Sequence, residues 1–355
     1  MRIVSPFLKR VLYPALSAAG FFSRAAASGL AVVTYHGVLP QGYELTDAAL
    51  DGNLVSAEIL RRQLRLLKTQ YNVLSPDEVL SWREGGAELP PRVVLLTCDD
   101  GLLNCLTDML PVLQQEEVHC LFFVTGASAE DARTTLWYED LLRLFLSAPA
   151  GRFEISGAGV TISDELASRE QRGKVWWSCV KRLSQVDAET RASFLSAARN
   201  QLGLSTWQSL DAENTAACRR FGLLTCPELC ELEAAGMTIG AHTLSHPILS
   251  QAPADLARSE IAECRSKLAS KLQSRVWAFA YPFGDAQSVT PEVMEMAEEA
   301  GYSAAFLNFG GGLGTAVPPP YAMPRVHVTS GMSLAEFEAH VSGFHMWLQR
   351  RAGRE

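Results

Sequence analysis

Seven short apolar runs punctuate the chain, each bounded by polar or turn-forming residues: Ala31–Tyr35, Val93–Thr97, His119–Val124, Met237–Gly240, Val276–Ala280, Ser303–Leu307 and Arg325–Val328. Runs of this length, rich in Val, Ile, Leu and Phe, predict strands buried on both faces. Between several of them the apolar spacing changes to three and four. Ser56–Gln70 places Ile59, Leu60, Leu64 and Leu67 on one face, and Leu102–Gln115, Cys226–Ala235, Asp255–Lys271 and Pro291–Ala300 repeat the pattern, which predicts amphipathic helices. Strands alternating with helices predict an α/β fold with a parallel sheet, and seven such strands predict an irregular seven-stranded (β/α) barrel. In such barrels the functional residues sit at the C-terminal ends of the strands.

Two regions depart from this rhythm. Residues 127–220 read as a mostly helical insertion: Trp137–Leu146, Val175–Leu183 and Thr190–Leu202 have helical spacing, and Arg152–Ile162 suits a short strand pair. Trp137, Trp176, Trp177 and Trp207 all fall here; most suit core packing, and some suit stacking on a sugar ring in a groove beside the barrel mouth. The other region is residues 1–29, where Arg2, Lys9, Arg10 and Arg24 interrupt apolar residues. No uncharged stretch reaches the roughly 18 residues of a spanning helix. Pro14 and Gly20 break the apolar stretch between Arg10 and Arg24, and a strand starts at Ala31 with almost no spacer, so a cleaved leader fits poorly. The segment reads as a basic amphipathic element lying on a membrane surface or on the domain itself. The main domain is then residues 30–345.

Composition narrows the class. A net charge of −8 argues against a basic nucleic-acid binder, and the 48% apolar share is ample for a core. The eight cysteines are scattered, several inside apolar runs, which fits a reducing compartment better than a disulfide framework. A cytoplasmic protein with peripheral membrane contact through its N-terminus is the expectation, with secretion left open. Cys226 and Cys230 share a helix face but have no second pair nearby to complete a zinc site.

The chemistry-bearing residues lie at two strand ends. Val93–Thr97 runs through Cys98 into Asp99, Asp100 and Gly101. Adjacent strand residues point to opposite faces, so two carboxylates at the end of a buried strand are costly unless something uses them. His242 and His246 follow Met237–Gly240; a spacing of four places both imidazoles on one side of a helical turn, with Pro247 in its first turn. Two histidines and a carboxylate make a common facial metal set with open positions, the pattern of metal-assisted hydrolysis.

Thr97-Cys-Asp-Asp-Gly101 and His242-Thr-Leu-Ser-His246 resemble the first two motifs of the polysaccharide deacetylases, the NodB-type carbohydrate esterases of family four, whose patterns are Thr-Phe-Asp-Asp-Gly and His-Ser/Thr-x-x-His. Phe279-Ala-Tyr-Pro-Phe-Gly284 resembles the third motif, and Thr34-Tyr-His-Gly-Val38 the opening strand of the branch acting on surface polysaccharides. The resemblance implies a NodB-type barrel and a metal-dependent hydrolase that removes N-acetyl groups from hexosamine residues of a polysaccharide or lipid-linked glycan. It implies Asp99 as general base, Asp100, His242 and His246 as metal ligands, and the Phe283 backbone N–H as a donor to the oxyanion. Zinc is the default metal by ligand type, with cobalt, nickel or iron(II) also suited.

Three departures stand out. The third motif usually has Arg two places before its proline; here that place is Ala280, a loss expected to raise the pKa of Asp99, unless Arg325 takes the buttressing role. The last motif, Leu-x-His, is matched only in part by Arg325-Val-His-Val328, leaving His327 or His36 as candidate acid. Cys98 stands where Phe is usual. Alternative readings are a hydrolase of another amide, a ureide or an O-acetyl ester on the same scaffold, or an inactive glycan-binding protein.

Overall fold

All six residues of the strand Val93–Cys98 are buried, so it needs hydrogen-bonding neighbours on both edges and cover on both faces. A closed barrel meets both needs. The computed structural model describes residues 6–24, 29–86, 88–203, 215–314 and 317–351. In chain order the strands are β1 (Leu30–Tyr35), β2 (Asn72–Leu74), β3 (Val93–Cys98), β4 (Leu121–Val124), β5 (Gly151–Gly157), β6 (Val160–Leu166), β7 (Thr238–Ala241), β8 (Ala278–Ala280), β9 (Ala304–Gly310) and β10 (Met323–His327). The spatial order β1-β10-β9-β8-β7-β4-β3 returns to β1, with every pairing parallel, and closes a seven-stranded barrel. Each of these strands coincides with one of the predicted apolar runs. The added strand β2 shares one edge of β3 with β4: it pairs with Val93–Leu95, and β4 pairs with Thr97 and Cys98. It is too short to give a periodic signal.

The period of two divides each strand between two cores. Val94, Leu96, Val33, Tyr35, Phe122 and Val124 face outward under the helices. Val32, Leu95, Phe123, Ala278, Phe306 and Met323 meet inside the barrel. The interior is tight: a Cβ on Gly240 would meet the Phe123 ring at 2.7 Å. Carried one rung further, the same alternation points Thr34, Thr97, Asp99, Arg325 and His327 inward. The barrel interior therefore turns from apolar to charged at its C-terminal end.

Between β4 and β7 the chain forms the antiparallel hairpin β5–β6 and helices Trp137–Ser147, Arg169–Leu183 and Ala188–Gln201, which share a separate apolar core around Leu141, Phe145, Ile155, Val180 and Phe194. This segment is tied to the barrel by a buried ion cluster. Arg220 is fully buried; its guanidinium donates to Asp51 (2.9 Å), to Glu139 (2.8 and 3.2 Å) and to the Leu50 carbonyl (2.6 Å). Burial pushes the Glu139 carboxyl up, and Arg220 opposes it.

The N-terminal residues 6–24 lie against the C-terminal helices Leu334–Val341 and Phe344–Arg351. Tyr13 bonds His345 Nδ1 through its hydroxyl (2.7 Å), Ser17 donates to Glu338 (2.5 Å), and Lys9 pairs with Glu336 (2.8 Å). Of the two placements expected for this element, contact with the domain is observed. No helix among the described residues is long and apolar enough to cross a membrane.

Removing one partner of a buried ion cluster leaves uncompensated charge. Arg220→Ala is therefore expected to lower the unfolding free energy by about 3–5 kcal/mol, measured by urea denaturation, whereas replacing Arg220, Asp51 and Glu139 together by apolar residues of similar volume recovers most of that loss.

Candidate active site

Asp99, at the end of β3, points into the barrel and meets Arg325 of β10. The pairing is bidentate: Nη1–Oδ1 is 2.6 Å and Nη2–Oδ2 is 2.5 Å. Both side chains are buried. Arg325 is itself held by the Leu307 carbonyl (2.7 Å) and Thr97 Oγ1 (3.2 Å), and its guanidinium lies over the Phe123 ring. Burial raises the Asp99 pKa, but the charge and hydrogen bonds of Arg325 outweigh it and hold the carboxyl below 3.8. This corrects the expectation of a raised pKa. Ala280 does leave its place without a cation, yet Arg325 delivers one from β10 to the same carboxylate.

Asp100 turns the other way because its backbone is left-handed, with φ 77°. Such a conformation strains any residue but glycine and persists only where the surroundings enforce it. Its carboxylate faces His242 and His246, with Oδ1 3.6 and 3.3 Å from their Nε2 atoms. One ligand atom from each of the three lies within 4.8 Å of the others, and all three residues are buried. Burial raises the Asp100 pKa; the two neighbouring histidines outweigh this and hold it well below 3.8. Burial also lowers the His246 pKa, which favours the neutral, ligand-competent imidazole.

The tautomer of His242 follows from its neighbour. Nδ1 is 2.7 Å from the Ala280 carbonyl, which only accepts, so Nδ1 carries the proton and Nε2 presents its lone pair to the cluster. The trio thus has the donor types, spacing and tautomer of a facial two-histidine, one-carboxylate cation site.

The helical turn expected for His242–His246 is not observed. Thr243 and His246 are both left-handed (φ 64° and 60°), which no right-handed helix accommodates. The residues form a loop closed by its own side chain: Thr243 Oγ1 accepts from the His246 N–H (2.9 Å). Glu260 grips the same loop, accepting from the Ser245 N–H (2.8 Å), and Arg191 from the insertion bonds both Ser245 and Glu260. Sequence reasoning missed Arg191 and Glu260. A buried Arg and Glu carry no local signal when their helices meet only in the fold.

His36 and His327 lie side by side at the ends of β1 and β10, with ring centroids 4.9 Å apart. His36 Nδ1 and His327 Nε2 have no hydrogen-bond partner among the described residues. Burial first, then the neighbouring His36, lowers the His327 pKa to about 3. Phe283 is also left-handed (φ 60°), and its backbone N–H has no acceptor among the described residues. The Phe283 ring packs against His246, Trp177 and Tyr138 (5.1, 5.4 and 5.5 Å), and Tyr138 lies over His246 at 4.8 Å. Tyr138, also missed in the sequence, therefore brings the insertion to the candidate metal ligands. Of the tryptophans, Trp137 donates to the His246 carbonyl (3.3 Å), Trp176 to the Tyr138 carbonyl (2.7 Å), and Trp177 joins the aromatic wall; Trp207 lies outside the described residues. Cys226 and Cys230 join no cluster of metal-ligand type among the described residues.

A closed parallel barrel with an acidic pair and two histidines at its C-terminal rim is the layout of a barrel hydrolase. The polysaccharide deacetylase family model matches residues 86–166 and 213–305, which hold both aspartates, both histidines and Phe283. This chain belongs to the polysaccharide deacetylase family, hydrolases of N-acetyl amide bonds. Solved structures with a similar fold include the Streptococcus pyogenes deacetylase PplD in complex with acetate (TM-score 0.55, 16% identity, 89% of this chain and 99% of that one) and IcaB from Ammonifex degensii (0.54, 19%, 89% and 97%). A de-N-acetylase from Aggregatibacter actinomycetemcomitans is also similar (0.52, 13%, 88% and 99%). A comparison with curated proteins gives no match.

The Asp99–Arg325 pair has a pH signature. A carboxyl held below 3.8 when folded contributes stability that is present above that pH and fades as pH falls through the folded value. Arg325→Met leaves Asp99 buried without its cation, so the variant is expected to be about 3–5 kcal/mol less stable near neutrality. Denaturant melts at several pH values should show this deficit shrinking as pH falls, because the buried, cation-free carboxyl of the folded variant takes up a proton at a higher pH than that of the folded wild type.

Proposed function

We propose that this protein removes N-acetyl groups from hexosamine residues of a polysaccharide or lipid-linked glycan, with one divalent cation held by Asp100, His242 and His246. The observation that carries the reading is the division of the adjacent carboxylates: Asp99 goes to a buried arginine and Asp100 to two buried histidines. When bound, the cation supplies Lewis acidity, polarising an acyl oxygen and lowering the pKa of water from 15.7 to about 7. Zinc is the default by ligand type, with cobalt, nickel and iron(II) also suited.

Asp99 is the base. Arg325 keeps it ionised and aligned while occupying only part of its acceptor capacity, since a carboxylate offers about four lone-pair sites. It takes a proton from the attacking water as the water oxygen bonds the acyl carbon. The free Phe283 N–H donates to the developing oxyanion. His36 supplies the proton that goes to the amide nitrogen as the C–N bond breaks, giving acetate and a free amine, because a pKa of about 3 leaves His327 without a proton to give near neutrality. The wall of Tyr138, Phe283 and Trp177 offers aromatic faces for the apolar side of a sugar ring.

The test separates the two aspartates. Asp100→Asn is expected to purify without its cation. Asp99→Asn should keep one equivalent of metal while acetate release from N-acetylated oligosaccharides falls by about 10²–10⁴-fold. Chelation should abolish release, and added zinc or cobalt restore it. Acetate release at the wild-type rate in both variants, or release from small amides but from no glycan, overturns the reading.

A further inference from the structure

The helical segment that opens the described chain is apolar on both of its faces. Leu8, Tyr13 and Leu16 turn inward onto Ala335, Ala339 and Phe344 of the C-terminal helices. The outer face is formed by Phe7, Val11, Pro14, Ala15 and Ala18, a spacing of one helix side, and Phe7 and Val11 are 61% and 53% exposed. A surface helix ordinarily turns charged residues outward. Here the single charged residue on the outer face is Arg10. Phe21 and Trp347, 43% and 47% exposed, extend the face: Phe21 and Trp347 both contact the Phe344 ring, at 5.4 and 5.6 Å.

Charge specifies what covers this face. The chain carries −8 overall, yet its first 43 residues hold Arg2, Lys9, Arg10 and Arg24 and no carboxylate. Lys9 is drawn inward to Glu336, while Arg10, Arg350 and Arg351 are exposed around the apolar face, Arg351 lying over the Trp347 ring at 4.6 Å. Aromatic and aliphatic groups rimmed by arginine match a headgroup layer of negative charge above hydrocarbon. A second copy of the chain fits worse, because a two-fold contact through this face would set Arg10, Arg350 and Arg351 against themselves.

We infer that this two-helix face docks on the surface of an anionic lipid bilayer. The inference is independent of the hydrolytic reading. The Phe22 carbonyl accepts from Arg92, next to the start of β3, so the segment reaches the barrel end opposite Asp100, and docking leaves the candidate site open.

The test is co-sedimentation of the full chain with vesicles of phosphatidylcholine alone or with about one third phosphatidylglycerol. Binding to the anionic vesicles, weakened by salt, is expected. Phe7→Ser with Val11→Asp, and separately Arg350→Glu with Arg351→Glu, should each weaken it by at least about ten-fold. Both variants should keep the wild-type thermal midpoint, since these side chains are exposed. Absence of binding to anionic vesicles overturns the proposal, as does equal binding by wild type and the Phe7/Val11 variant. So does a solution dimer that the Phe7/Val11 variant dissociates, which would assign the face to a second copy.

Discussion

A charge buried inside a β-barrel has to be answered by another, and the Asp99–Arg325 pair is where this molecule meets that requirement. The barrel interior is filled by Phe123, Phe306, Met323 and small alanines up to the level of Thr97, and the next rung is a carboxylate. Without a cation that rung would protonate or expel its strand end into solvent. Arg325 stands on β10, across β1 from β3, and reaches Asp99 with two parallel hydrogen bonds while its remaining nitrogen is fixed by Leu307. The fork geometry matters: lysine would supply the charge but not the two-point alignment. The position of the other aspartate follows, because a carboxylate held at both oxygens fixes where its strand ends and where Asp100 begins its left-handed turn.

The second constraint is the loop that carries the histidines. Asp100, Thr243, His246 and Phe283 all occupy left-handed backbone, and four such residues converging on one rim are costly unless surrounding structure enforces them. The enforcement comes from two directions. From below, Gly101 packs so closely on Val124 that a Cβ would come within 2.9 Å, and Ala280 orients His242. From the side, the insertion reaches in with Arg191 onto Ser245 and Glu260, with Trp137 onto His246, and with Tyr138 over the imidazole. The insertion is therefore part of the wall of the candidate site as well as a neighbouring helical layer.

The residues that sequence reading found and missed differ in kind. Each barrel strand announces itself because burial on both faces demands a continuous apolar run, and that demand is local. The acidic pair and the two histidines stand at strand ends, where a polar cluster after an apolar run is conspicuous. The conformation of Thr243 and His246 was not legible: spacing of four is shared by a helical turn and by this loop, and only the Thr243 hydroxyl and Glu260 decide between them. Arg325 was legible as a cation near the last strand, but the direction of the Asp99 shift depended on whether it reached β3 through the barrel. Tyr138, Arg191 and Arg220 act across distances of 54 to 169 residues, and no periodicity encodes such meetings.

The barrel thus has two chemically different ends, and the same physics sets both. At the C-terminal rim, burial makes each charge depend on a partner, so aspartates, arginine and histidines lock into one arrangement. Near the opposite end the balance reverses: the helix of residues 6–18 satisfies its inner apolar face against the C-terminal helices and leaves the outer one in water, beside the exposed Arg10, Arg350 and Arg351. Burying that outer face gains the usual roughly 25 cal/mol per Å² of apolar area. A charge pattern that neutralises Lys9 inward while leaving Arg10 outward divides the segment between fold and partner, much as the rim divides two adjacent aspartates between an arginine and a pair of histidines.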